Sequence, residues 1–304
     1  MNKDRRLLQR LTTEKQNPAS LQLDGKSPLE IARLINAEDA KVARAVKRAL
    51  PQIATGIEWI AAGLSQGGRL IYVGTGTSGR IAALDAAECP PTFNVDPRLV
   101  QFVMAGGSRA LGRAVEADED SRRQGEYDIA RRKPGKNDLV VGIAASGRTP
   151  YTVAAVAYAR RKGAKTIAVT CNRGSPLEKA ADLAIVAEVG PEVLAGSTRM
   201  KAATAQKMIL NTLSTGAMTR LGYVHSNLMV NLRPRNSKLA ERGTRIIQRL
   251  TGVSRKRAEN TLRKAGTVSV AVVMLKTGVN RTEAEEALHA AKGRLRTALT
   301  MLDV

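Results

Sequence analysis

The chain has 304 residues, of which 43% are hydrophobic, and it carries a formal net charge of +22. This length and hydrophobic content predict a globular protein with a full core and room for a small second domain. Only 3% of the residues are aromatic, which leaves few stacking platforms for single strands. The composition therefore disfavours nucleic-acid binding as the main role, despite the charge.

The amino-terminal sequence and the cysteines indicate a cellular location. MNKDRRLLQR is charged throughout and does not resemble a signal peptide, and no apolar run approaches the roughly 18 residues of a membrane-spanning helix. We therefore expect a soluble, cytoplasmic protein with no membrane partner. Cys89 and Cys171 have neither the spacing of a disulfide framework nor that of a metal site, so we expect reduced cysteines and no bound metal.

The positive charge is concentrated towards the carboxyl end. Residues 233–304 contain 16 Lys and Arg against 6 Asp and Glu, whereas residues 57–232 contain 22 against 15. Such a surplus could attract nucleic acid or another anionic surface. A solvated basic surface, or an amino-acid bias of the whole lineage, is the favoured explanation.

Residues from about 27 to 65 have the pattern of helices. Ser27 stands before Pro28 as an N-cap stands before a proline of the first turn, and Glu30 follows three residues after Ser27, as in a capping box. Pro51 is expected to divide this stretch into two helices.

Short apolar runs that end in small residues come next, and segments of helical periodicity follow them. Their continuous, rather than alternating, apolarity predicts strands covered on both faces, in a parallel sheet with crossover helices. The predicted strands are RLIYVG (69–74), LVQFVMAGG (99–107), LVVGIAASG (139–147), KTIAVT (165–170) and LAIVAEVG (183–190). A long helix from about Arg199 to Leu221 completes a three-layer α/β domain.

The predicted strands end before Val230, and a domain boundary is expected near residues 233–238. The residues beyond it contain short helical segments, with Ser254 and Asn280 as N-caps, which predict a compact bundle of three or four helices. The predicted organisation is an N-terminal segment with helices (1–56), a ligand-binding α/β domain (57–232) and a small helical domain (233–304).

Two loops rich in glycine and hydroxyl residues follow predicted strands and precede predicted helices. In open α/β sheets, ligands bind beyond the carboxyl ends of the strands. Glycines let a ligand approach the backbone, helix N-termini favour anions, and hydroxyl groups donate to anionic oxygens, so we predict a phosphate-binding site. Its candidate residues are Gly74, Thr75, Gly76, Thr77 and Ser78 in the first loop, and Ser146, Gly147, Arg148 and Thr149 in the second.

Other interpretations of the first loop fit less well. Gly74, Gly76 and Gly79 match the dinucleotide-binding pattern G-x-G-x-x-G. The carboxylate expected at the end of the next strand is not convincingly present, because Asp96 precedes that strand. A P-loop would need a Lys followed by Ser or Thr after the glycines, and the sequence has none there. A purely structural role, as helix caps and turns, stays open.

A third cluster precedes the long helix, and Ser197 or Thr198 is the expected N-cap of that helix. Arg199 and Lys201 could neutralise a phosphate or be surface charges of the first turn. Both alternatives stay open, because cations at a helix N-terminus oppose the helix dipole and need a separate reason. The cluster adds Ser197, Thr198, Arg199 and Lys201 to the candidate ligand-binding residues.

Candidate catalytic residues are few. Neither His225 nor His289 lies in a strand-end loop, and no Ser-His-Asp arrangement is evident. Acid–base chemistry would then depend on carboxylates or lysines. The two carboxylates that stand out are Glu88, in a helix expected to end just before Pro90, and Glu119, in an acidic run. A solvated surface position is the default interpretation of any acid.

Several motifs together resemble the N-acetylmuramic acid 6-phosphate etherase family, which is built on the flavodoxin-like sugar isomerase (SIS) fold. They are TEKQNPAS (13–20), LIYVGTGTSGR (70–80), LDAAECPPTF (84–93), AVEADEDS (114–121), VGIAASGRTPY (141–151) and GSTRMKAATAQKMILN (196–211). The resemblance extends from about residue 13 to the carboxyl end. The joint presence of AECPPT and SGRTPY is specific for this family, because sugar-phosphate isomerases share only the loops rich in Ser and Thr.

The resemblance implies a lyase that cleaves the lactyl ether of N-acetylmuramic acid 6-phosphate, giving N-acetylglucosamine 6-phosphate and D-lactate in cell-wall sugar recycling. Elimination from the ring-opened sugar is followed by addition of water, with no metal or organic cofactor. The family's two glutamates correspond to Glu88 as proton donor and Glu119 as the second acid–base residue, with Glu116, Asp118 and Asp120 as close competitors of Glu119. A homodimer with sites near the subunit contact, and a ubiquitin-associated-like carboxyl-terminal bundle, are also implied.

Two other functions stay open on the sequence. An isomerase of amino-sugar phosphates with the SIS fold would interconvert aldo and keto sugars and release no lactate. A non-catalytic regulator would bind the sugar phosphate and then a partner, although the presence of Glu88 argues against it.

Overall fold

The structure of the chain, a computed structural model, describes residues 11–113, 118–234 and 236–302. Its centre is a five-stranded sheet in which every neighbouring pair is parallel. The strands are β1 (Leu70–Gly74), β2 (Val100–Met104), β3 (Leu139–Ile143), β4 (Lys165–Thr170) and β5 (Leu183–Val186). The α/β class and the five parallel strands predicted from the apolar runs are confirmed.

Helices precede, connect and follow the strands. Up to the last strand they are α1 (Pro28–Asp39), α2 (Val42–Lys47), α3 (Leu50–Ser65), α4 (Gly76–Phe93), α5 (Arg122–Ala130), α6 (Pro150–Arg161) and α7 (Pro176–Ala180). After it they are α8 (Lys201–Leu221), α9 (Ser237–Thr251), α10 (Arg255–Ala265), α11 (Val268–Thr277), α12 (Arg281–Ala290) and α13 (Leu295–Met301). Short 3₁₀ helices lie at Thr12–Glu14, Pro18–Ser20, Leu23–Gly25 and Gly107–Leu111.

The sheet is covered on both faces, which is why most positions in its strands are apolar. α6 packs over one face, where Ile71 and Val140 are fully buried. α3 packs over the other face, and a methyl group at its Gly56 would lie 3.4 Å from the side chain of Ile167. Strands covered on both faces need apolar residues at every position rather than at alternate ones.

The strand order is β2-β1-β3-β4-β5. The connection from β1 to β2 therefore leads towards one edge of the sheet, and the connection from β3 to β4 leads towards the other edge. The order therefore has a topological switch point between β1 and β3, which is where ligands bind in open sheets of this type. Gly74 at the end of β1 is in register with Ile143 at the end of β3. The two loops predicted to bind phosphate thus begin side by side at this switch point.

The first helices form where the sequence predicts them, with one more break than expected. Ser27 and Glu30 form the predicted capping box, in which each side chain accepts a hydrogen bond from the other residue's backbone N–H. Pro51 lies in the first turn of α3, where a missing N–H is not needed. A further turn at Ala40 and Lys41 separates α1 from α2, so this stretch contains three helices instead of two.

The prediction that the helix after the first loop ends before Pro90 is wrong. α4 continues through Pro90 and Pro91 to Phe93. Each proline removes one N–H donor, but its carbonyl still accepts, and Asn94 N donates to Pro90 O at 2.8 Å to close the last turn. Glu88 therefore lies within a helix.

The described chain forms two compact units, residues 11–87 with 98–214 and residues 88–97 with 215–302. The first unit contains the whole sheet. The second contains a helical bundle with a hydrophobic core of its own, to which Ile247, Leu262 and Val273 belong. Among the described residues, none of the helices combines the length and the apolarity that a membrane span requires.

The helices of the bundle begin and end at the predicted signals. Ser254 and Asn280 are the N-caps of α10 and α12, as predicted, and Asn236 caps α9 in the same way. The bundle contains five helices within residues 236–302, whereas three or four were expected. The difference arises at Gly293, which has a φ of +78° and interrupts the last predicted helical segment between α12 and α13.

Candidate functional site

The loop after β1 turns tightly into α4. Gly76 has a φ of +49°, and Gly79 N donates to Thr75 O at 2.9 Å. A methyl group at Gly79 would come within 2.8 Å of the terminal methyl group of Met104, which would have to shift to make room for it. The positive φ of Gly76 is the feature of this loop that favours glycine.

Glu119 lies against this loop. Thr75 Oγ1 donates to Glu119 Oε2 at 3.0 Å, and a methyl group at Gly76 would lie 3.1 Å from Glu119 Oε1. The backbone carbonyl of Glu119 accepts a hydrogen bond from Tyr151 N, at the start of α6, at 3.1 Å. The structure thus brings together Thr75, Gly76 and Glu119, and in this arrangement the hydroxyl proton of Thr75 orients the carboxylate.

The competitors of Glu119 are placed differently. Asp120 is exposed and Asp118 is half-buried. Glu116 lies outside the described residues. Among the described residues, neither the Asp118 nor the Asp120 side chain forms a hydrogen bond with the first loop, so the geometry favours Glu119 as the acid at the switch point.

A buried side chain of α8 contacts the first loop from another direction. Gln206 is 1% exposed, and its Oε1 accepts a hydrogen bond from Ser78 Oγ at 2.9 Å. Thr77, between the glycines and Ser78, is half-buried. The sequence offered no signal for Gln206, because a polar residue on a long helix is by default a surface residue.

A buried carboxylate fixes α4 behind the loop. Asp85 accepts hydrogen bonds from Tyr72 Oη at 2.7 Å, from Asn211 Nδ2 at 2.5 Å and from Ser214 Oγ at 3.1 Å. These donors belong to β1 and α8, so one buried acid ties three elements together. A fully satisfied buried network of this kind rigidifies the elements that carry it.

The loop after β3 packs against the residues that follow β4. Gly147 has a φ of +67°, and a methyl group there would lie 2.3 Å from Ser175 Oγ. Ser146 Oγ accepts a hydrogen bond from Arg148 N at 3.2 Å. Thr149 is the N-cap residue of α6, but its side chain makes no capping hydrogen bond, so this hydroxyl is not committed to the helix.

Arg148 is half-buried, and its Nε is buried without a hydrogen-bond partner among the residues that the structure describes. A buried donor is normally paired, with protein or with bound water or ligand. Together with the uncommitted Thr149 hydroxyl, Arg148 gives the second loop the donors that an anionic ligand requires.

Tyr151 anchors the start of α6 beside Glu119. Its hydroxyl donates to Asp128 Oδ2 at 2.7 Å, and the residue is fully buried. Burial, reinforced by the hydrogen bond to Asp128, raises the pKa of Tyr151 well above its ordinary value. The phenol therefore stays protonated and acts as a fixed hydrogen-bond donor.

The third cluster contains a buried ion pair. Lys201 is 1% exposed, and its ammonium pairs with Glu38 of α1, which also accepts a hydrogen bond from Lys41. Burial by itself would raise the pKa of Glu38, but the hydrogen bonds from Lys201 and Lys41 outweigh it, and the pKa is lowered. Lys201 is thus not a surface charge, and Glu38 supplies the separate reason that a cation at this helix start needs.

The N-terminus of α8 is capped by a carboxylate instead of the expected Ser197 or Thr198. Glu192 accepts hydrogen bonds from Lys201 N at 3.0 Å and from Ala202 N at 2.9 Å. Burial raises the pKa of Glu192 even though these hydrogen bonds oppose it. Ser197 and Thr198 are half-buried in the preceding loop, and Arg199 is exposed.

Glu88 is exposed on α4 and belongs to the second compact unit, whereas Glu119 belongs to the first. Among the described residues, no group of three or more His, Cys, Asp or Glu side chains is arranged to hold a metal ion.

The amino-terminal segment lies at the carboxyl edge of the sheet, which sequence reasoning missed. Thr12 N and Oγ1 donate to Asn172 Oδ1 at 3.1 and 3.2 Å, just after β4. Asn17 Nδ2 donates to Pro191 O at 3.3 Å, just after β5. The TEKQN motif could have been the signal, but nothing in its spacing says which edge of the sheet it contacts.

Models of known families match three parts of the chain. They are the glucokinase regulatory protein N-terminal SIS domain at residues 52–160, the SIS domain at residues 134–215, and the C-terminal lid domain of glucokinase regulatory protein at residues 226–267. Among solved structures, a phosphoheptose isomerase from Francisella tularensis is similar with a TM-score of 0.50 and 19% identity, covering 64% of this chain and all of that one. This likeness concerns the fold alone.

Curated relatives are similar over nearly the whole chain. The N-acetylmuramic acid 6-phosphate etherase of Lactobacillus johnsonii is 50% identical and covers 94% of this chain and 96% of its own length. That of Salmonella agona is 48% identical, with 95% and 98% covered. N-acetylmuramic acid 6-phosphate etherase 1 of Bacillus licheniformis is 46% identical, with 96% and 97% covered.

Proposed function

The chain belongs to the N-acetylmuramic acid 6-phosphate etherase family, and from this premise we propose that it cleaves the D-lactyl ether of N-acetylmuramic acid 6-phosphate. The products are N-acetylglucosamine 6-phosphate and D-lactate. The observation that carries the proposal is the hydrogen bond from Thr75 Oγ1 to Glu119 Oε2 at 3.0 Å. It fixes a carboxylate beside a loop of the phosphate-binding type, which a site that only binds an anion has no reason to do, since like charges repel.

The reaction takes place in two stages that balance without an added cofactor. In the ring-opened sugar, a base removes the proton on C2, which the C1 aldehyde acidifies. The C3–O bond breaks with its electrons, and an acid protonates the departing lactate oxygen. Water then adds across the resulting C2=C3 double bond, placing its hydroxyl on C3 and a proton on C2. Each proton transfer needs a positioned acid or base.

We assign these transfers to two glutamates. Glu88 is the proposed proton donor, and Glu119 is the proposed second acid–base residue. Two carboxylates can share such work if their surroundings keep one protonated and the other ionised.

The proposed phosphate site consists of the two loops at the switch point and the third cluster. Arg148 and Thr149 offer donors there, and Ser78 contributes a hydroxyl group whose proton is donated to Gln206 Oε1. α4 and α6 direct their N-termini towards the ends of β1 and β3. The ion pair of Lys201 with Glu38 supports a role for Lys201 in fixing the start of α8. We also propose that the protein is cytoplasmic, acts in cell-wall sugar recycling and forms a homodimer with its sites near the subunit contact.

Release of D-lactate from N-acetylmuramic acid 6-phosphate tests the proposal. We expect the unaltered protein to release it, and we expect Glu88→Ala and Glu119→Gln each to turn over at least about a hundredfold more slowly while still binding the sugar phosphate. Asp120→Asn is the matched control, since Asp120 is exposed and adjacent to Glu119, and it should keep the parent rate.

Each other outcome has a definite meaning. Binding of the sugar phosphate without lactate release by the unaltered protein would contradict the etherase activity and favour a regulator. Interconversion of aldo and keto amino-sugar phosphates without lactate would favour an isomerase. If Asp120→Asn releases lactate slowly and Glu119→Gln releases it at the parent rate, the acid–base residue is Asp120 instead of Glu119.

A further inference from the structure

The amide group of Gln206 is incompletely bonded. Gln206 lies in the second turn of α8 and is 1% exposed. Its Oε1 accepts the hydrogen bond from Ser78 Oγ, at 2.9 Å. Its Nε2 is buried and has no hydrogen-bond partner within the described parts of the chain. A buried amide nitrogen with two unused hydrogens is costly, so a native structure keeps one where it has a use.

The direction of this hydrogen bond limits what Ser78 can do. A serine hydroxyl has one proton and otherwise only lone pairs. Because that proton is donated to Gln206, Ser78 can present only lone pairs to anything else. Lone pairs repel the oxygens of a phosphate, so in this arrangement Ser78 cannot help to hold one.

We propose that Gln206 is a positioning residue that switches Ser78 into a donor when a sugar phosphate binds. The amide turns by about half a rotation around its terminal bond, so that Nε2 donates to Ser78 Oγ. Ser78 then donates its proton to a phosphate oxygen. The two ends of an amide are nearly equal in size, so the turn needs no repacking of the buried surroundings. The inference rests on the phosphate site of the proposed function.

A plain structural tie between α8 and the loop would have different consequences. Such a tie needs only that Gln206 accept a hydrogen bond, and a carboxylate at that position would accept it as well. The switch also needs a donor, which an ionised carboxylate cannot supply. Gln206→Glu keeps the shape and the acceptor but lacks the donor. Because its negative charge would itself repel a phosphate, the same change made in Ser78→Ala measures that repulsion alone.

The experiment measures calorimetric binding of N-acetylglucosamine 6-phosphate to the full-length protein. We expect Ser78→Ala to weaken binding about tenfold because it removes the donor. Gln206→Leu should weaken it by a similar factor, because without Nε2 nothing orients the Ser78 proton towards the phosphate. The double variant should also bind about tenfold more weakly, since Gln206 acts only through Ser78. Gln206→Glu should weaken binding by about a hundredfold or more, since it locks the Ser78 proton and adds a negative charge. Thr204→Ala, an exposed change on the same helix, is the control and should bind normally.

Two further measurements distinguish a role of Gln206 in positioning Ser78 from a role in folding. As the pH is lowered, binding to Gln206→Glu should recover relative to the parent, because a protonated carboxyl group can again donate to Ser78. For the Gln206 and Ser78 variants, KM should change while kcat stays near the parent value. The proposal would be overturned if the double variant bound about a hundredfold more weakly than the parent, as independent effects of the two changes would give. It would also be overturned if Gln206→Glu bound like the parent.

The binding series is independent of turnover. If the unaltered protein binds the sugar phosphate but releases no lactate, the etherase activity fails and the series still decides the role of Gln206. If the unaltered protein does not bind the sugar phosphate at all, both proposals are overturned.

Discussion

Glu38 accepts hydrogen bonds from two lysines that differ greatly in exposure. The Lys201 side chain is 1% exposed and the Lys41 side chain is 55% exposed. Removing one partner of a buried ion pair leaves the other charge uncompensated, whereas an exposed partner is readily replaced by water. Replacing each lysine in turn therefore compares the loss of a buried partner with the loss of an exposed partner of the same carboxylate.

At about pH 7 we expect Lys201→Met to lower the free energy of unfolding by about 3–5 kcal/mol and Lys41→Gln by less than about 1 kcal/mol. Because the pKa of Glu38 is lowered from 4.5, its ionised form stabilises the fold above pH 4.5, and this stabilisation is lost as the pH falls through the lower folded pKa. The difference in the free energy of unfolding between the parent and Lys201→Met should therefore become smaller below pH 4.5. Urea unfolding at several pH values measures both effects, and a gap independent of pH would contradict the role given to the pair.

At the scale of elements, the loop between β3 and α6 depends on one glycine. Gly147 combines a φ of +67° with a Cβ position only 2.3 Å from Ser175 Oγ. Ser175 cannot simply move away, because its Oγ accepts the capping hydrogen bond from Glu178 N. Gly163, after α6, has a φ of +87° but open space around its Cβ position, so it shares the backbone strain without the clash.

We expect Gly163→Ala to cost about 1 kcal/mol of stability, from the backbone conformation alone, and to leave sugar-phosphate binding unchanged. Gly147→Ala should cost about 1–3 kcal/mol more, and it should weaken binding because the loop must shift. Thermal unfolding and calorimetric binding of N-acetylglucosamine 6-phosphate measure the two effects. Equal results for both variants would show that the contact with Ser175 does not hold the loop.

At the scale of the whole molecule, the two proposed catalytic glutamates belong to different compact units. In the proposed homodimer, with its sites near the subunit contact, one site would take Glu88 from one copy and Glu119 from the other. A dimer of Glu88→Gln with Glu119→Gln would then hold one intact site and one doubly altered site.

We expect co-expression of these two variants to restore about a quarter of the parent's lactate release, since half of randomly formed dimers are mixed and each mixed dimer has one working site of two. Each variant expressed alone is the control and should stay nearly inactive. Mixed dimers, identified by their mass, that remain inactive would mean that both glutamates act within a single copy.

Much of the fold could be predicted because its signals are local. The capping box of Ser27 and Glu30, the N-caps Ser254 and Asn280, and the apolar runs of the five strands each depend on neighbouring residues only. The end of α4 and the number of helices in the bundle were predicted wrongly, because they depend on how much a proline or a glycine costs in a particular context. At Pro90 the helix continues, and the Pro90 carbonyl still accepts a hydrogen bond from Asn94 N; composition alone does not show this.

Local residue patterns were enough to predict the parallel α/β sheet and the loops that follow its strands, and the motifs were enough to indicate the family. Which residues meet at those loops became known from the folded chain. Glu119 is 44 residues from Thr75 and Gln206 is 128 residues from Ser78, and Lys201 finds its partner 163 residues away in Glu38. Periodicity and spacing report on neighbours along the chain, whereas the order of the strands and the packing of the helices set contacts between distant residues.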